Sequence, residues 1–283
     1  MARIREPIYL IENVAAGQRC LVQPQVGRTW LDCHIELTNI TLAKATNIKV
    51  LLVSPERTIT LQEFKNGTEL LEFNKRYGRK TNSAWLSFYF RKPEMENEAQ
   101  SMATALGTGG LQAVRIEFDI AAGVTSPVVK AWGRKVANRP VSAGVLPYVT
   151  NHNVGGQAEG VNHYDAIEKR DRILAIHVLN PDVTALLLKV DDATCYELDR
   201  ARGEFDEEVG DRVPYADNYG MCIDFSTAGV LDEALVMQSS GYQVQQMRLS
   251  TTLGEDAGVV TRFLVEYLST WASLAGGNTQ RAA

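Results

Sequence analysis

The sequence has no apolar stretch long enough to cross a lipid bilayer. Its longest apolar runs, residues 173–179 and 184–190, fall far short of the roughly 20 residues that a spanning helix needs. The amino end also lacks a signal-peptide core, because Glu6 and Pro7 interrupt its few apolar residues. We therefore expect a protein without a transmembrane segment that is not secreted.

Cysteine is scarce, and its spacing excludes the usual thiol chemistry. The sequence has no CxxC pair and no dense cluster of cysteines. Such spacing is typical of free, buried thiols in a reducing compartment rather than of a disulfide framework or a zinc site. The four cysteines are Cys20, Cys33, Cys195 and Cys222.

Catalytic motifs are missing as well. None of the four histidines lies in an HExxH motif, and there is no GxSxG sequence. The glycine-rich residues 107–110 follow a predicted helix and precede a predicted strand, which is the wrong order for a phosphate-binding loop. His152 and His163 lie in a loop-like region, where solvated side chains are a better interpretation than a metal site. The sequence therefore predicts no enzymatic activity.

Net positive charge is also absent. The chain of 283 residues has 29 basic and 34 acidic residues, which gives a net charge of -5. This balance argues against bulk nucleic-acid binding, and we expect no sequence-specific nucleic-acid partner. The length and the 45% hydrophobic content are typical of an ordinary globular protein with two domains.

What the sequence does contain is a series of half-buried strands. Apolar residues alternate with polar ones over residues 31–37, 84–90 and 114–120, which predicts strands with one buried and one wet face. One-sided alternation favours antiparallel sheets, with helices confined to the connections. Helical spacing over residues 95–106 predicts one such helix, and residues 61–77 predict two short helices in another connection.

The second half of the chain repeats this order of elements. Residues 172–180 correspond to residues 31–39, and the charged stretch 195–210, predicted to be helical, corresponds to residues 61–78. A loop-like region from about residue 138 to residue 160 separates the two halves. We therefore predict a mainly β protein with two tandem jelly-roll β-sandwich domains, residues 1–138 and 139–283, and short helices in the connecting loops.

Three groups of charged residues are candidate binding sites. A basic run could contact an anionic surface, although cations that complement a helix dipole explain it equally well. This run comprises Lys75, Arg76, Arg79 and Lys80. Asp191 and Asp192 follow a strand and could bind calcium, although a solvated acidic surface is the simpler interpretation. Arg3 and Arg5, in an amino-terminal arm expected to be mobile, could contact acidic lipid headgroups if many copies act together.

Several stretches resemble the major capsid protein of the corticoviruses, which are tailless icosahedral phages with an internal membrane. They are spread in the same order along nearly the whole chain, at similar spacing. The similar stretches are residues 13–17, 86–95, 104–111, 117–120 and 265–271. Two parts resemble this family least: the linker, and the charged connection of the second half, which has its own acidic helix.

The resemblance implies a double jelly-roll capsid protein that forms homotrimeric, pseudo-hexagonal capsomers. The implied partners are other copies in the capsid lattice, penton and membrane proteins, and the surface of the internal lipid membrane. It also implies assembly in the host cytoplasm at the membrane, residence in the virion, and an association with calcium whose ligands the resemblance does not locate. The alternatives are a virion spike or glycan-binding jelly roll and, less in keeping with the sequence, a jelly-roll enzyme.

Overall fold

The computed structural model describes residues 4–155, 157–216, 219–239, 242–254 and 260–276. Its strands of four or more residues fall into two series of eight. The first series is β1 (Ile4–Ile8), β2 (Arg19–Val22), β3 (Thr29–Thr38), β4 (Ala45–Val53), β5 (Thr58–Asn66), β6 (Trp85–Tyr89), β7 (Ala113–Ile120) and β8 (Val128–Val136). The second series is β9 (Val145–Val154), β10 (Gly160–Tyr164), β11 (Arg172–Leu179), β12 (Val183–Val190), β13 (Ala193–Asp199), β14 (Met221–Asp224), β15 (Met247–Leu253) and β16 (Thr261–Thr270).

Each series forms two sheets with the same strand order. In the first series the orders are β1-β8-β3-β6 and β2-β7-β4-β5, and in the second they are β9-β16-β11-β14 and β10-β15-β12-β13. Each strand therefore has the same neighbours as the strand eight places later. Two four-stranded antiparallel sheets connected in this way form a jelly roll, so the chain contains two of them.

Short elements complete the structure. Two-residue strands at Ile11–Glu12, Leu106–Gly107 and Leu235–Val236 extend the sheets, and Gln238–Ser239 pairs with Tyr242–Gln243. The helices are α1 (Gly67–Arg76), α2 (Glu98–Ala103), α3 (Arg200–Val209) and α4 (Trp271–Gly276), with 3-10 turns at Leu42–Lys44, Val141–Ala143 and Leu231–Glu233. The helix predicted over residues 95–106 is thus limited to its central part.

By its internal contacts the chain divides into two compact units. One contains the residues up to Tyr148 together with the segment that starts at Ser269, and the other is Val149–Leu268. The region from residue 138 to residue 160 is not the loop that the sequence predicts, because β9 lies within it. Leu146, Tyr148 and Val149 are buried there. Pro147 fits because β9 is an edge strand, where a missing backbone N–H is tolerated.

The strands of the first jelly roll bury the predicted apolar face. Cys33 and Ile35 of β3 and Phe88 of β6 are fully buried, as is Phe118 of β7 in the opposite sheet. Antiparallel pairing of β3 with both β8 and β6 confirms the prediction of antiparallel sheets. Alternation of apolar and polar residues therefore identified the core correctly.

Residues 61–66 are the end of strand β5 and not a helix. The register of β4 against β5 shifts between Val50 and Leu51, so that Val50 pairs with Gln62 and Leu51 with Thr60. Leu61 is the extra residue of this bulge. Because the bulge interrupts the alternation, Leu61 and Phe64 are both buried at a spacing of three, which imitates a helical pattern in the sequence.

The corresponding strand β13 was also predicted as helix, but Ala193–Asp199 is extended and only Arg200–Val209 is helical. Both helices begin with the same type of cap. The side chain of Asn66 accepts a hydrogen bond from the backbone N–H of Glu69, and that of Asp199 accepts one from Arg202. Such caps satisfy backbone donors that a helix start leaves free.

Candidate functional site: an aromatic pocket on the first jelly roll

The outer face of the sheet β1-β8-β3-β6 carries a pocket of about 380 Å³. Neighbouring strands bring its residues together, because Trp132 of β8 lies opposite His34 of β3, which in turn lies opposite Ser87 of β6. We call it the aromatic pocket. Its lining residues are Arg5, His34, Lys80, Thr81, Asn82, Trp85, Tyr89, Trp132 and Arg134.

Aromatic rings form the floor of the aromatic pocket. The rings of Trp85 and Trp132 meet edge to face, with centroids 4.8 Å apart and an interplanar angle of 89°. The His34 ring lies 5.8 Å from Trp132 and 5.5 Å from Tyr89. These separations are those of favourable aromatic pairs. The floor is therefore a preformed set of ring edges and faces.

A buried carboxylate fixes two of the lining residues. Asp32 Oδ2 accepts a hydrogen bond from Arg134 Nε at 2.5 Å, and Asp32 Oδ1 lies 3.4 Å from His34 Nε2. The other ring nitrogen of His34 is 3.0 Å from Ser87 Oγ. Burial alone would raise the pKa of Asp32, but the hydrogen bonds and charges of His34 and Arg134 lower it. Asp32 is thus an anion that holds the Arg134 guanidinium and the His34 ring in place.

A second buried ion cluster supports the segment that carries Lys80. Arg79 donates to Glu94, with Nη2 and Oε1 2.5 Å apart, and Lys92 Nζ lies 3.3 Å from the same oxygen. Burial opposes ionisation of Glu94, yet the two cations lower its pKa to about 2. The hydroxyl of Tyr89 donates to the Lys80 carbonyl oxygen at 2.5 Å, which ties the segment to the pocket floor.

The predicted basic run does not form one exposed patch. Arg76 and Arg79 are buried, whereas Lys75 and Lys80 are exposed. Lys75 lies in the last turn of α1 and pairs with Glu72 at 2.7 Å. The prediction of a four-residue patch is therefore wrong, because Arg76 and Arg79 occupy positions of the run whose side chains are buried. Lys80 alone reaches the aromatic pocket.

Of the two predicted lipid-binding arginines, Arg5 lies in the described structure and Arg3 lies outside it. Arg5 is exposed on β1, which pairs with β8 so that Arg5 lies opposite Arg134. It therefore belongs to a strand rather than to a mobile arm, and it lines the aromatic pocket. Contact with lipid stays a prediction for both residues.

Asp191 and Asp192 lie in the turn between β12 and β13, where both have positive φ angles. Asp191 Oδ1 accepts hydrogen bonds from the backbone N–H groups of Gln245 and Gln246, at 2.8 and 2.9 Å. These bonds lower its pKa. Asp191 therefore holds two turns together, and calcium binding by Asp191 and Asp192 stays a prediction.

The surroundings of this turn contain positive charge as well as carboxylates. Lys169, Lys189 and Arg248 line the same hollow of about 310 Å³. Within the described residues, no group of three or more His, Cys, Asp or Glu side chains is arranged to hold a metal ion. Nor does the described part of the chain contain a helix of the length and hydropathy that a membrane span requires.

Sequence reasoning missed the aromatic pocket. Alternation predicted that Ser87 and Tyr89 would lie on a wet face, and that Asp32 and His34 would do so on β3. In the structure Asp32, Ser87 and Tyr89 are buried. The available signal was the unusual composition of this face, because aromatic rings and charges alternate with the core residues on three neighbouring strands.

The equivalent face of the second jelly roll is closed. His177 of β11 lies between Leu264 of β16 and Cys222 of β14, which is the register that His34 has in the first jelly roll. It is fully buried, and Tyr215 Oη lies 3.0 Å from its Nδ1. The open pocket is therefore a property of the first jelly roll and not of the fold.

Comparison with known proteins identifies the family. Residues 5–137 match the profile of the viral coat protein P2 N-terminal domain, and residues 146–271 match that of the C-terminal domain. The chain is 26% identical over 273 residues to the major capsid protein P2 of Pseudoalteromonas phage PM2, which covers 93% of this chain and 95% of that protein.

Solved structures agree with this assignment. The crystal structure of the PM2 protein P2 matches with a TM-score of 0.86, covering 95% of this chain and 98% of that chain at 26% identity. A chain of the Sulfolobus Turreted Icosahedral Virus matches with a TM-score of 0.64, covering 98% and 94% of the two chains at 12% identity, which shows a shared fold. The double jelly roll, the structural role and the lack of enzymatic activity predicted from the sequence are confirmed. This chain belongs to the viral coat protein P2 family and is a capsid protein of the corticovirus type.

Proposed function

We propose that the chain forms homotrimers, and that each trimer is a pseudo-hexagonal capsomer of an icosahedral shell. The observation that carries this proposal is the presence of two jelly rolls with the same strand order in one chain. Three copies then bring six similar barrels around one axis, which gives nearly hexagonal outlines with threefold symmetry. A lattice of such units requires many copies of this chain as its main partner.

The mass of the purified protein in solution tests this proposal. Light scattering should give a species of three times 31.3 kDa over a wide range of concentration. The trimer should persist on dilution because obligate assemblies bury large apolar interfaces. A monomer at every concentration would contradict the trimer.

We further infer that the shell has other protein partners. A pseudo-hexagonal capsomer does not fit the fivefold vertices of an icosahedral shell, so a penton protein is needed there. Coexpression of this chain with candidate vertex proteins of the same virus should yield closed particles by electron microscopy. Open sheets or tubes are expected from this chain alone, and closed icosahedral particles formed without any partner would contradict this inference.

We also propose contact with an internal lipid membrane through the amino-terminal cations Arg3 and Arg5. Each basic residue near an anionic surface contributes about 1 kcal/mol, so only an array of copies binds firmly. We accordingly propose that assembly occurs at the membrane, in the host cytoplasm. Arg5 also lines the aromatic pocket, and the two residues therefore need separate tests.

Flotation of the trimer with anionic vesicles measures the membrane contact. Arg3→Ser should lower binding, and Arg5→Ser should lower it further in the double variant. Arg202→Ser is the matched control, because Arg202 is exposed on α3 in the second jelly roll. Equal flotation of the double variant and the unaltered protein would contradict the proposal.

Calcium is proposed only as an optional structural ion at Asp191 and Asp192. The test is the mass of the trimer with and without a chelator, together with Asp192→Asn, which leaves the hydrogen bonds of Asp191 in place. The site would be supported if the unaltered trimer dissociates when calcium is chelated and the Asp192→Asn variant does not respond to the chelator. A trimer that is indifferent to the chelator would exclude it.

A further inference from the structure

Helix α3 exposes large apolar side chains. Phe205 and Val209, one turn apart, are 68% and 70% exposed, and Val213 just beyond the helix is 51% exposed. We call these three residues the apolar stripe. In the equivalent helix α1, by contrast, Leu70 and Phe73 are buried. Contiguous exposed apolar residues with a polar rim mark interaction surfaces.

Carboxylates flank the apolar stripe. Asp206 and Glu208 are exposed on α3, and Asp211 is exposed directly after it. The described structure shows no ion pair for any of the three. The surface of α3 therefore presents an aromatic ring inside a field of negative charge, and its complement is a pocket with aromatic walls and positive charge.

The aromatic pocket of the first jelly roll has these properties. Its floor presents the edges and faces of Trp85 and Trp132, and its volume of about 380 Å³ accommodates a phenyl ring. Arg5 and Lys80 at its rim have no ion-pair partner within the described residues. An incoming ring with two adjacent carboxylates would thus find both an aromatic seat and two counter-charges.

Symmetry identifies the occupant as a second copy of this chain. A twofold contact uses one surface on both copies, whereas a ring of three copies requires two different surfaces that fit each other on every copy. The apolar stripe and the aromatic pocket are two such surfaces. They lie in different jelly rolls, so each copy can use both at once.

We propose that Phe205 of one copy inserts into the aromatic pocket of the next copy around the threefold axis. Asp206 and Glu208 then face the positively charged rim of that pocket, where Lys80 of the next copy lies. Repeated three times, such a contact would use both surfaces on every copy. The inference rests on the trimer proposed above, and it names the residues by which the trimer holds together.

Charge reversal tests the contact. Each of the substitutions Phe205→Asp and Lys80→Glu should make the trimer dissociate at a higher protein concentration or at a lower urea midpoint. Loss of a central aromatic contact is expected to weaken association about tenfold. Combining Lys80→Glu with Asp206→Lys should restore association. Val161→Asp is the matched control, because Val161 is also an exposed apolar residue of the second jelly roll, at 61%.

Thiol crosslinking gives a second readout. In a Cys195→Ser background, which removes the exposed native thiol, chains with Lys80→Cys and chains with Phe205→Cys are coassembled and treated with a short bismaleimide. A covalent dimer should form only from the mixture of the two variants. Replacing Phe205→Cys by Val161→Cys should abolish it.

The outcomes separate the two proposals. A monomeric unaltered protein would overturn both the trimer and this contact. A trimer that is unaffected by Phe205→Asp and gives no crosslink would overturn the contact alone. If Lys80→Glu left the trimer intact but lowered binding to anionic vesicles, the aromatic pocket would receive a lipid headgroup, and the proposed contact would be wrong.

Discussion

The outer faces of the two equivalent sheets differ although their strands have the same order and register. His34 and His177 occupy corresponding positions, each between a closing strand and the edge strand of its sheet. His34 lines an open pocket, whereas His177 is fully buried. The strand frame therefore does not decide whether this face is accessible.

The residues beside each histidine explain the difference. On β3 the neighbours on the outer face are Asp32 and Glu36, while on β11 they are Ala175 and Leu179. The apolar face attracts a cover, and Tyr215 packs there with Ala175 and Cys222. The charged face keeps its ion pairs and leaves the aromatic rings open. Whether the outer face is open or covered thus depends on the two side chains beside each histidine and on the segment that follows each helix.

Opening the closed face should have the largest effect. Tyr215→Ala removes a buried aromatic ring and the hydrogen bond to His177, and it should lower the free energy of unfolding by about 3–4 kcal/mol. Hydrogen exchange of β11 amides measures this. Tyr242→Ala is the control, since Tyr242 is exposed. Unchanged protection of β11 would show that Tyr215 is not the cover.

Removing the support below the open face comes next. Glu94→Gln leaves Arg79 and Lys92 buried without their anion, and it should cost about 3 kcal/mol at neutral pH. All four tryptophans belong to the first unit, so urea unfolding followed by tryptophan fluorescence reports on it. Glu72→Gln, in the exposed pair with Lys75, should cost well under 1 kcal/mol.

The same carboxylate makes the first jelly roll sensitive to acid. The pKa of Glu94 falls from an ordinary value of 4.5 to about 2 in the folded protein. Its stabilising contribution is therefore fully present above pH 4.5 and is lost as the pH falls towards 2. The difference in stability between the unaltered protein and Glu94→Gln should shrink over this interval. A constant difference would mean that Glu94 is not ionised in the fold.

Trp132→Leu makes the open face resemble the closed one, where Leu264 lies at the same register. Trp132 is only partly buried, so the free energy of unfolding should fall by about 1 kcal/mol. The measurement is urea unfolding with the remaining tryptophans as probes. A loss as large as that of Tyr215→Ala would mean that the two faces are equally covered.

The smallest effect is expected from Ser87→Cys, which again copies the second jelly roll, where Cys222 faces His177. The substitution replaces the hydroxyl that lies 3.0 Å from His34 Nδ1 by a weak donor, at a cost of about 0.5–1 kcal/mol. Urea unfolding followed by tryptophan fluorescence measures this cost. An unchanged unfolding midpoint would show that this hydrogen bond does not contribute to stability.

Sequence reasoning recovered the two jelly rolls because burial imposes a period of two on most strands. It failed at β5, where a bulge at Leu61 changes that period, and at β9, where Pro147 suggested a loop. Both errors have a physical origin, since neither a register shift nor an edge position is visible in a single strand. Each is defined only by the neighbouring strand.

The candidate site was less accessible to prediction. The sequence predicts a lipid contact for Arg5 and an anionic surface for Lys80. The structure brings both to one pocket through pairing of β1 with β8 and a hydrogen bond from Tyr89 to the Lys80 carbonyl. Trp85 and Trp132 are 47 positions apart in the sequence, and only the order of strands around β3 makes them neighbours. Composition identifies the charged residues, but it does not show that they meet at one pocket.

The unlike histidine faces would also affect how the proposed capsomer can be placed. A capsomer with six identical sides would fit its neighbours after a rotation by any sixth of a turn, so its rotational orientation would make no difference. In the proposed trimer the two unlike jelly rolls would alternate around the axis, so only rotations by thirds of a turn would be equivalent. Each capsomer of such a shell would then have a defined rotational orientation that neighbouring proteins could recognise.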